Sequence, residues 1–145
     1  MFANTKGNII IEFALAMPIL LLMLVGMLDL SRYALQKSAL LQGAREGAQY
    51  GMVNSSDTSG IESTAVNATG LTGVTATDSV FCECVNGTAV SCSTTCSSST
   101  LKKYITVTTT RSFTSVLSGS SLTLNSYMSW TPPTSITATV TMSVP

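Results

Sequence analysis

Four cysteines lie within a fifteen-residue stretch, at positions Cys82, Cys84, Cys92 and Cys96. Their C-x-C-x7-C-x3-C spacing admits two kinds of chemistry, thiolate binding of zinc or disulfide formation. Structural zinc sites usually carry C-x2–4-C pairs, so the tight C-x-C pair fits the metal poorly. An even number of cysteines in a Ser/Thr-rich region with a small core favours two disulfides in an oxidising compartment. We therefore predict two disulfides and no metal site.

The sequence leaves the pairing of these cysteines open. A Cys82–Cys84 bond is the least favoured, because side chains two residues apart on a strand lean along it without meeting. Between the two pairs, Asn86-Gly87 is a strong signal for a tight turn. A hairpin there slightly favours Cys84–Cys92 nested inside Cys82–Cys96.

Glu12 is the second group with chemical potential, because it is an acid inside an apolar run. Sixteen uncharged residues separate it from Asp29. The run over residues 9–28, about twenty residues, would span roughly 30 Å as a helix, the thickness of a bilayer's hydrocarbon core. A carboxylate in that layer costs about 2.5–3.5 kcal/mol, so Glu12 requires a partner. Cleavage between Gly7 and Asn8 would create one, a positive amine four residues away.

Catalysis finds little support in the remaining residues. The chain has no histidine, which removes the commonest general base. We find no nucleophile motif and no phosphate-binding loop, and we expect no cofactor. Net charge is zero and only 10% of residues are charged, which argues against binding to nucleic acid.

The N-terminal third resembles the TadE/TadF-type pseudopilins of tight-adherence (Tad, Flp-type IV) pili. A short polar leader ends in Lys-Gly, and Glu-Phe follows four residues later at the start of an apolar helix. The resemblance extends over roughly residues 7–53. Its matching positions are Gly7, Glu12 to Leu20, Gly26, Asp29, Arg32 and Ala44 to Ala48. Asn8 departs from the Phe or Met common at the first mature position of other type IV pilins.

This resemblance implies that a prepilin peptidase cuts after Gly7, so that residues 1–7 are a leader and Asn8 becomes the first residue. It also implies that Glu12 takes part in assembly, pairing with the new amine of its own chain or of a neighbour. A conventional secretory signal peptide is the alternative. Against it stand the length of the apolar run, its acid and its proline.

Residues 8–53 are predicted to form one long helix that continues beyond the membrane span. Gly43, Gly47 and Gly51 recur at four-residue spacing, and each costs roughly 0.8–1 kcal/mol relative to alanine inside a helix. Three on one face predict close packing against the outer domain or a neighbouring subunit. The alternative is that the helix frays into a linker here.

Residues 54–145 are predicted to form one Ser/Thr-rich extracytoplasmic domain. Ser59 and Glu62 match a capping box and predict a short helix over residues 60–69. Beyond it, alternating apolar and hydroxyl residues predict an antiparallel sheet of four or five strands, most clearly over residues 136–144. The expected fold class is α+β, type IV pilin-like: a long N-terminal transmembrane helix plus a small disulfide-bonded antiparallel β domain.

The function implied by the resemblance is structural. We expect a pseudopilin, or minor pilin, that helps to assemble, initiate or cap a Tad-type pilus for surface adhesion, anchored in the bacterial inner membrane with its C-terminal domain outside. Its expected partners are the prepilin peptidase, other Tad pilins, inner-membrane assembly proteins and membrane lipid. The alternatives are a major filament subunit, a single-pass anchored binding domain without a pilus, and a cargo-handling pseudopilin of a secretion machine.

Overall fold

One helix, α1, runs through the N-terminal third of the chain from Lys6 to Val53. The structure is a computed structural model that describes residues 6–85, 87–96, 100–116, 122–125 and 128–145; for residues 6–9, 122–125 and 128–130 the description is of the backbone. Residues 1–5 of the expected leader and Asn86 of the expected turn lie outside this range. At 48 residues, α1 is roughly 72 Å long, more than twice the thickness of a hydrocarbon core. It ends at Val53, the last residue of the helix predicted from the sequence.

A second helix, α2, spans Thr58–Ala68 and begins earlier than predicted. Its N-cap is Asp57, not Ser59, which corrects the capping-box assignment. The Asp57 carboxylate accepts a hydrogen bond from the Gly60 backbone N–H at 3.0 Å, and the Ser59 hydroxyl donates to the same oxygen. A carboxylate satisfies the free N–H groups of a first turn and also favours the positive end of the helix dipole, so the acid takes the cap.

The strands form two antiparallel sheets. A four-stranded sheet has the order β2-β1-β3-β6, and a separate pair joins β4 to β5. Their bounds are β1 Val74–Cys84, β2 Ala89–Val90, β3 Leu101–Ser112, β4 Leu122–Asn125, β5 Met128–Trp130 and β6 Ser135–Val144. The described residues thus contain six strands, where four or five were expected. The α+β class, with a long helix and a disulfide-bonded antiparallel domain, is confirmed.

Both helices pack on one face of the four-stranded sheet, α1 against β3 and β6, and α2 mainly against β1. The core between them combines alanines and larger aliphatic residues from the helices with aliphatic residues from β3 and β6 and one phenylalanine that follows β3. The buried members are Leu40, Ala44, Ala48, Ile61, Ala65, Ile105, Val107, Phe113, Ile136 and Ala138.

The opposite face of the sheet carries the hydroxyl residues. Cross-strand pairs join Thr106 to Thr141 at 2.8 Å and Thr108 to Thr139 at 3.1 Å. Along β6, buried Ile136 and Ala138 alternate with exposed threonines, as the sequence period of two predicted. Part of the Ser/Thr bias of the outer domain is therefore explained by the solvent face of its sheet.

Candidate assembly and membrane-anchoring site

The N-terminal half of α1 presents apolar side chains to the outside all round its circumference. Over the described residues, the stretch Ile10–Val53 is the one helix long and apolar enough to cross a membrane, and none of its most apolar window is buried in the protein. Ile10 and Leu15 are each 71% exposed. A helix that is apolar on every side is stable when lipid or other helices surround it.

Glu12 lies in this exposed region near the start of α1 and is itself exposed. The backbone is helical from Lys6 onward, so Asn8 precedes Glu12 by one turn on the same side of the helix. The rise between them is roughly 6 Å. An amine created at Asn8 would therefore lie within reach of this carboxylate or of one presented by an adjacent helix.

The three spaced glycines lie at the other end of α1, where the helix meets the outer domain. A Cβ at Gly47 would approach the Ala65 Cβ to 2.7 Å, and one at Gly43 would approach the Ala65 carbonyl oxygen to 2.5 Å. At Gly51 the same atom would collide with the Ile105 side chain. The glycines thus let α2 and β3 of the same chain contact the helix backbone. Of the two partners considered from the sequence, the contact seen is with the chain's own outer domain.

A hydrogen-bonded turn joins the end of α1 to α2. The Tyr50 hydroxyl donates to the Asp57 carboxylate at 2.8 Å. This bond, followed by those from the Gly60 N–H and the Ser59 hydroxyl, lowers the pKa of Asp57. The same bond, together with the negative charge of Asp57, raises the pKa of Tyr50. Asp57 thus both caps α2 and fixes its angle to α1.

Asp29 holds the outer domain at the upper end of the bare region. It is buried, and its carboxylate accepts hydrogen bonds from the Ser115 hydroxyl and from the Val116 backbone N–H, the latter at 2.9 Å. Arg32, one turn further on, approaches the same carboxylate at 3.9 Å. The sequence analysis used Asp29 as the end of the uncharged run and, with Arg32, as a position of the family pattern, and assigned no contact to either. The sequence signal that could have pointed to Asp29 is its place as a single acid at the end of an uncharged run.

The disulfides join Cys82 to Cys92 and Cys84 to Cys96, with no free cysteine. The presence of two disulfides is confirmed, but the nested pairing that was slightly favoured is wrong. That pairing required one hairpin to continue as far as Cys96.

The chain instead reverses direction after β2. Register places Val90 opposite Cys82, and β2 ends there. A turn follows, in which the Thr94 N–H donates to the Ser91 carbonyl at 2.9 Å. Cys92 lies within this turn, two residues after Val90, and bonds to Cys82. The chain then runs back along β1, so that Cys96 meets Cys84.

The sequence-predicted residues therefore form three separate groups. Gly7, Asn8 and Glu12 lie at one end of α1, and Gly43 is roughly 47 Å further along the helix from Glu12. The cysteines lie in the outer domain at the β1–β2 end. Within the described ranges, no group of three His, Cys, Asp or Glu residues could hold a metal ion.

Comparison with known families agrees with the helix. Residues 7–49 match the family model described as TadE-like protein. The match ends one turn before the end of α1 and includes Glu12, Asp29 and the first two spaced glycines. No curated protein and no solved structure matches the chain. The TadE-type resemblance is confirmed for the helix.

Proposed function

We propose, on the premise that residues 7–49 are TadE-like, that this chain is a minor pilin of a Tad-type pilus. The TadE-like family is a structural pilin family, and a pilus-associated role follows from it. In our proposal the chain is cleaved after Gly7, stays in the membrane through residues 9–28, and joins other pilins through the exposed half of α1 to initiate or cap a filament.

The observation that carries the proposal is the difference between the two halves of α1. The lower half, up to residue 28, is largely exposed, and the upper half, residues 29–53, is packed against the outer domain. Among the residues that the structure describes, the outer domain packs against the upper half of α1, and residues 10–24 of the lower half are exposed. Lipid satisfies such a surface while the protein lies in the membrane. When the helix leaves lipid for a filament, helices of other subunits must take the place of the lipid. Exposing the apolar surface to water instead would cost roughly 25 cal/mol of free energy per Å².

Glu12 would give this apolar contact its register. An apolar helix surface slides along another with little change in energy, whereas a buried charge is stable only opposite its partner. The amine at Asn8, one helical turn from Glu12, supplies a partner of opposite sign. Docking out of register would leave both charges in a medium of low dielectric constant, which costs several kcal/mol per ion.

The cellular arrangement follows from the same proposal. The two disulfides support an oxidising compartment for residues 54–145. In our proposal the outer domain therefore lies on the periplasmic or outer side of a bacterial inner membrane. A leader of residues 1–7 would then face the cytoplasm. The proposed partners are a prepilin peptidase, other Tad pilins, inner-membrane assembly proteins and membrane lipid.

Glu12→Gln tests the assembly role, because it keeps the size of the side chain and removes its charge. We expect the variant to insert and to be at least partly cleaved after Gly7, but to fail to co-purify with pilin partners and to lower surface attachment. Glu46→Gln is the matched control: the same change on an exposed residue of the same helix, in its covered half. It should assemble like the wild type.

Two outcomes separate the possible roles of this acid. If the cleaved Gln variant assembles and attaches as the wild type does, Glu12 does not set register and our assembly mechanism is wrong. If the variant stays uncleaved, Glu12 serves peptidase recognition, and register must be tested in a chain that starts at Asn8.

A further inference from the structure

A cleft lies where the outer domain meets α1, at the upper end of the apolar run. Its volume is about 380 Å³, within the range of roughly 300–1,000 Å³ that is typical of small-molecule sites. The helix contributes Gly26, Leu30 and Tyr33 to its walls, and the outer domain contributes Phe113, Ser115 and Pro133. The rings of Tyr33 and Phe113 meet edge to face, with their centroids 5.6 Å apart. The cleft is thus lined mainly by apolar groups.

The helix wall of the cleft belongs to a longer row of residues that ends in a cation. Gly26, Leu30, Tyr33 and Lys37 follow one another at spacings of four, three and four residues, which places them one above another on the same face of α1. Lys37 is exposed, and its Nζ lies over the ring of Tyr33, 5.9 Å from the ring centroid. The row is therefore apolar in its lower part and positively charged at its top.

The cleft crosses the membrane surface of the proposed topology. If the hydrocarbon layer ends at residue 28, Gly26 lies roughly 3 Å below its edge and Tyr33 roughly 7–8 Å above it. The headgroup layer occupies about 5–7 Å on each side of the hydrocarbon. Because the Lys37 ammonium is directed back toward Tyr33, it lies close to the outer edge of the headgroup layer.

The acid that borders the cleft already has partners within the protein. The Asp29 carboxylate is buried, accepts hydrogen bonds from Ser115 and Val116, and has Arg32 at 3.9 Å. The charges of Asp29 and Arg32 therefore offset each other. The positive charge of Lys37 remains at the upper end of the row.

We propose that this cleft binds one anionic phospholipid of the periplasmic leaflet, with part of an acyl chain between Leu30 and Pro133 and the phosphate against Lys37. The inference rests on the proposed function, because it requires the lower half of α1 to span a bilayer. A lipid with an apolar chain below an anionic group matches the order of the row. A zwitterionic choline headgroup fits less well, because it brings a second cation close to Lys37.

The helix of a second copy matches the row less well than a lipid does. The lower half of α1 carries a single acid, Glu12, which lies roughly 37 Å below Lys37 along the helix. A parallel neighbour at the same height would therefore present apolar side chains to the cleft and no anion to Lys37. Charge complementarity thus favours the lipid.

Native mass spectrometry of the full chain tests the site. The protein is extracted from membranes in a mild detergent and incubated with phosphatidylglycerol or with phosphatidylcholine, and the lipid-bound fraction is measured. We expect one phosphatidylglycerol per chain and weaker binding of phosphatidylcholine.

Gly26→Leu tests the apolar part of the cleft. A Cβ at Gly26 meets no atom within 4 Å, so the new side chain enters open space and fills the cleft. The variant should lose its bound lipid. Ala16→Leu is the matched control, because it enlarges an exposed residue of the same apolar run away from the cleft. It should bind phosphatidylglycerol as the wild type does.

Lys37→Gln tests the charged end of the row. It should weaken binding of phosphatidylglycerol roughly fivefold, the contribution expected of one lysine near an anionic lipid surface, and should remove the preference over phosphatidylcholine. Lys102→Gln is the control for charge, since Lys102 is exposed and pairs with Glu83 at the far end of β3. It should leave both affinities unchanged.

Three outcomes would overturn the lipid site. The first is a wild-type chain that retains no lipid. The second is equal lipid binding by the Gly26→Leu and Ala16→Leu chains, which would show that lipid only coats the apolar helix. The third is a lipid-free dimer that Gly26→Leu converts to a monomer, which would show that a second copy occupies the cleft.

Alkaline carbonate extraction of the same membranes tests the span separately. We expect the wild type and every variant to stay in the membrane pellet. Release of the wild-type chain by carbonate would refute the membrane span, and with it both the proposed function and the lipid site. Loss of the lipid site in a chain that resists carbonate would leave the proposed function intact.

Discussion

The two halves of α1 belong to one unbroken helix but meet different surroundings. A Cβ added at Gly26 in the lower half would find nothing within 4 Å, whereas one at Gly43 would meet the backbone of α2. Leu21 is 57% exposed, and Leu40 is fully buried. The lower half is thus constrained by composition and charge, and the upper half by shape. The apolar side chains of the lower half suit contact with lipid or other helices, whereas the small side chains of the upper half suit close packing against the outer domain of the same chain.

The largest difference between the halves should appear when a leucine is shortened. Leu40→Ala removes a fully buried side chain between α1 and the sheet and should destabilise the outer domain by about 2–5 kcal/mol. Leu21→Ala, the same change on the bare half, should alter unfolding by less than about 0.5 kcal/mol. Near-UV circular dichroism of both full-length variants in detergent micelles, followed through thermal unfolding, measures this difference. Equal shifts would contradict the division of α1 into two halves.

A smaller effect of opposite character is expected when a methyl group is added. Gly43→Ala must displace Thr69 and approach the Ala65 carbonyl oxygen to 2.5 Å, which is backbone and moves only if α2 shifts. Overpacking of this kind costs about 1–3 kcal/mol, which outweighs the gain of about 1 kcal/mol in helix propensity. Gly26→Ala meets no such contact and should leave the domain unchanged. The same unfolding assay decides, and a stabilised Gly43→Ala chain would show that the contact is looser than described.

The smallest effect concerns the junction of the two halves. Asp29→Asn weakens the hydrogen bonds from Ser115 and Val116, because bonds to a charged acceptor exceed neutral ones by about 1 kcal/mol. Arg32→Ala removes only the exposed partner at 3.9 Å, an ion pair of about 0–1 kcal/mol. Asp29→Asn should therefore lower the unfolding midpoint more than Arg32→Ala does. The reverse order would show that the ion pair, not the hydrogen-bonded carboxylate, holds the segment to the helix.

The sequence pattern was sufficient to predict the long helix, the last strand and the close approach at the spaced glycines. The long helix to Val53 follows from an apolar run that continues into a proline-free segment rich in Ala, Leu, Gln and Arg, and β6 follows from strict alternation of apolar and hydroxyl residues. The glycine spacing predicted a close approach, although it did not identify α2 and β3 as the elements that approach.

The failures concern contacts that sequence spacing does not encode. The disulfide pairing depends on a reversal after Val90 that carries no strong turn motif. The N-cap was assigned to Ser59 by motif, whereas Asp57 caps the helix through the Gly60 N–H and also accepts a bond from Tyr50 of α1, a contact that the motif does not encode. Asp29 meets residues more than eighty positions later in the chain, and no local pattern shows such a contact.

The central claim is that α1 enters the membrane as a processed pilin helix, and the N-terminus of the protein tests it most directly. N-terminal sequencing, together with intact mass, is carried out on protein extracted from membranes of cells that contain the prepilin peptidase. The account predicts that the mature chain begins at Asn8, seven residues shorter than the precursor, with its apolar run complete. A mature chain that begins at Met1, or one that begins beyond Leu28 after removal of the whole apolar run, would contradict it.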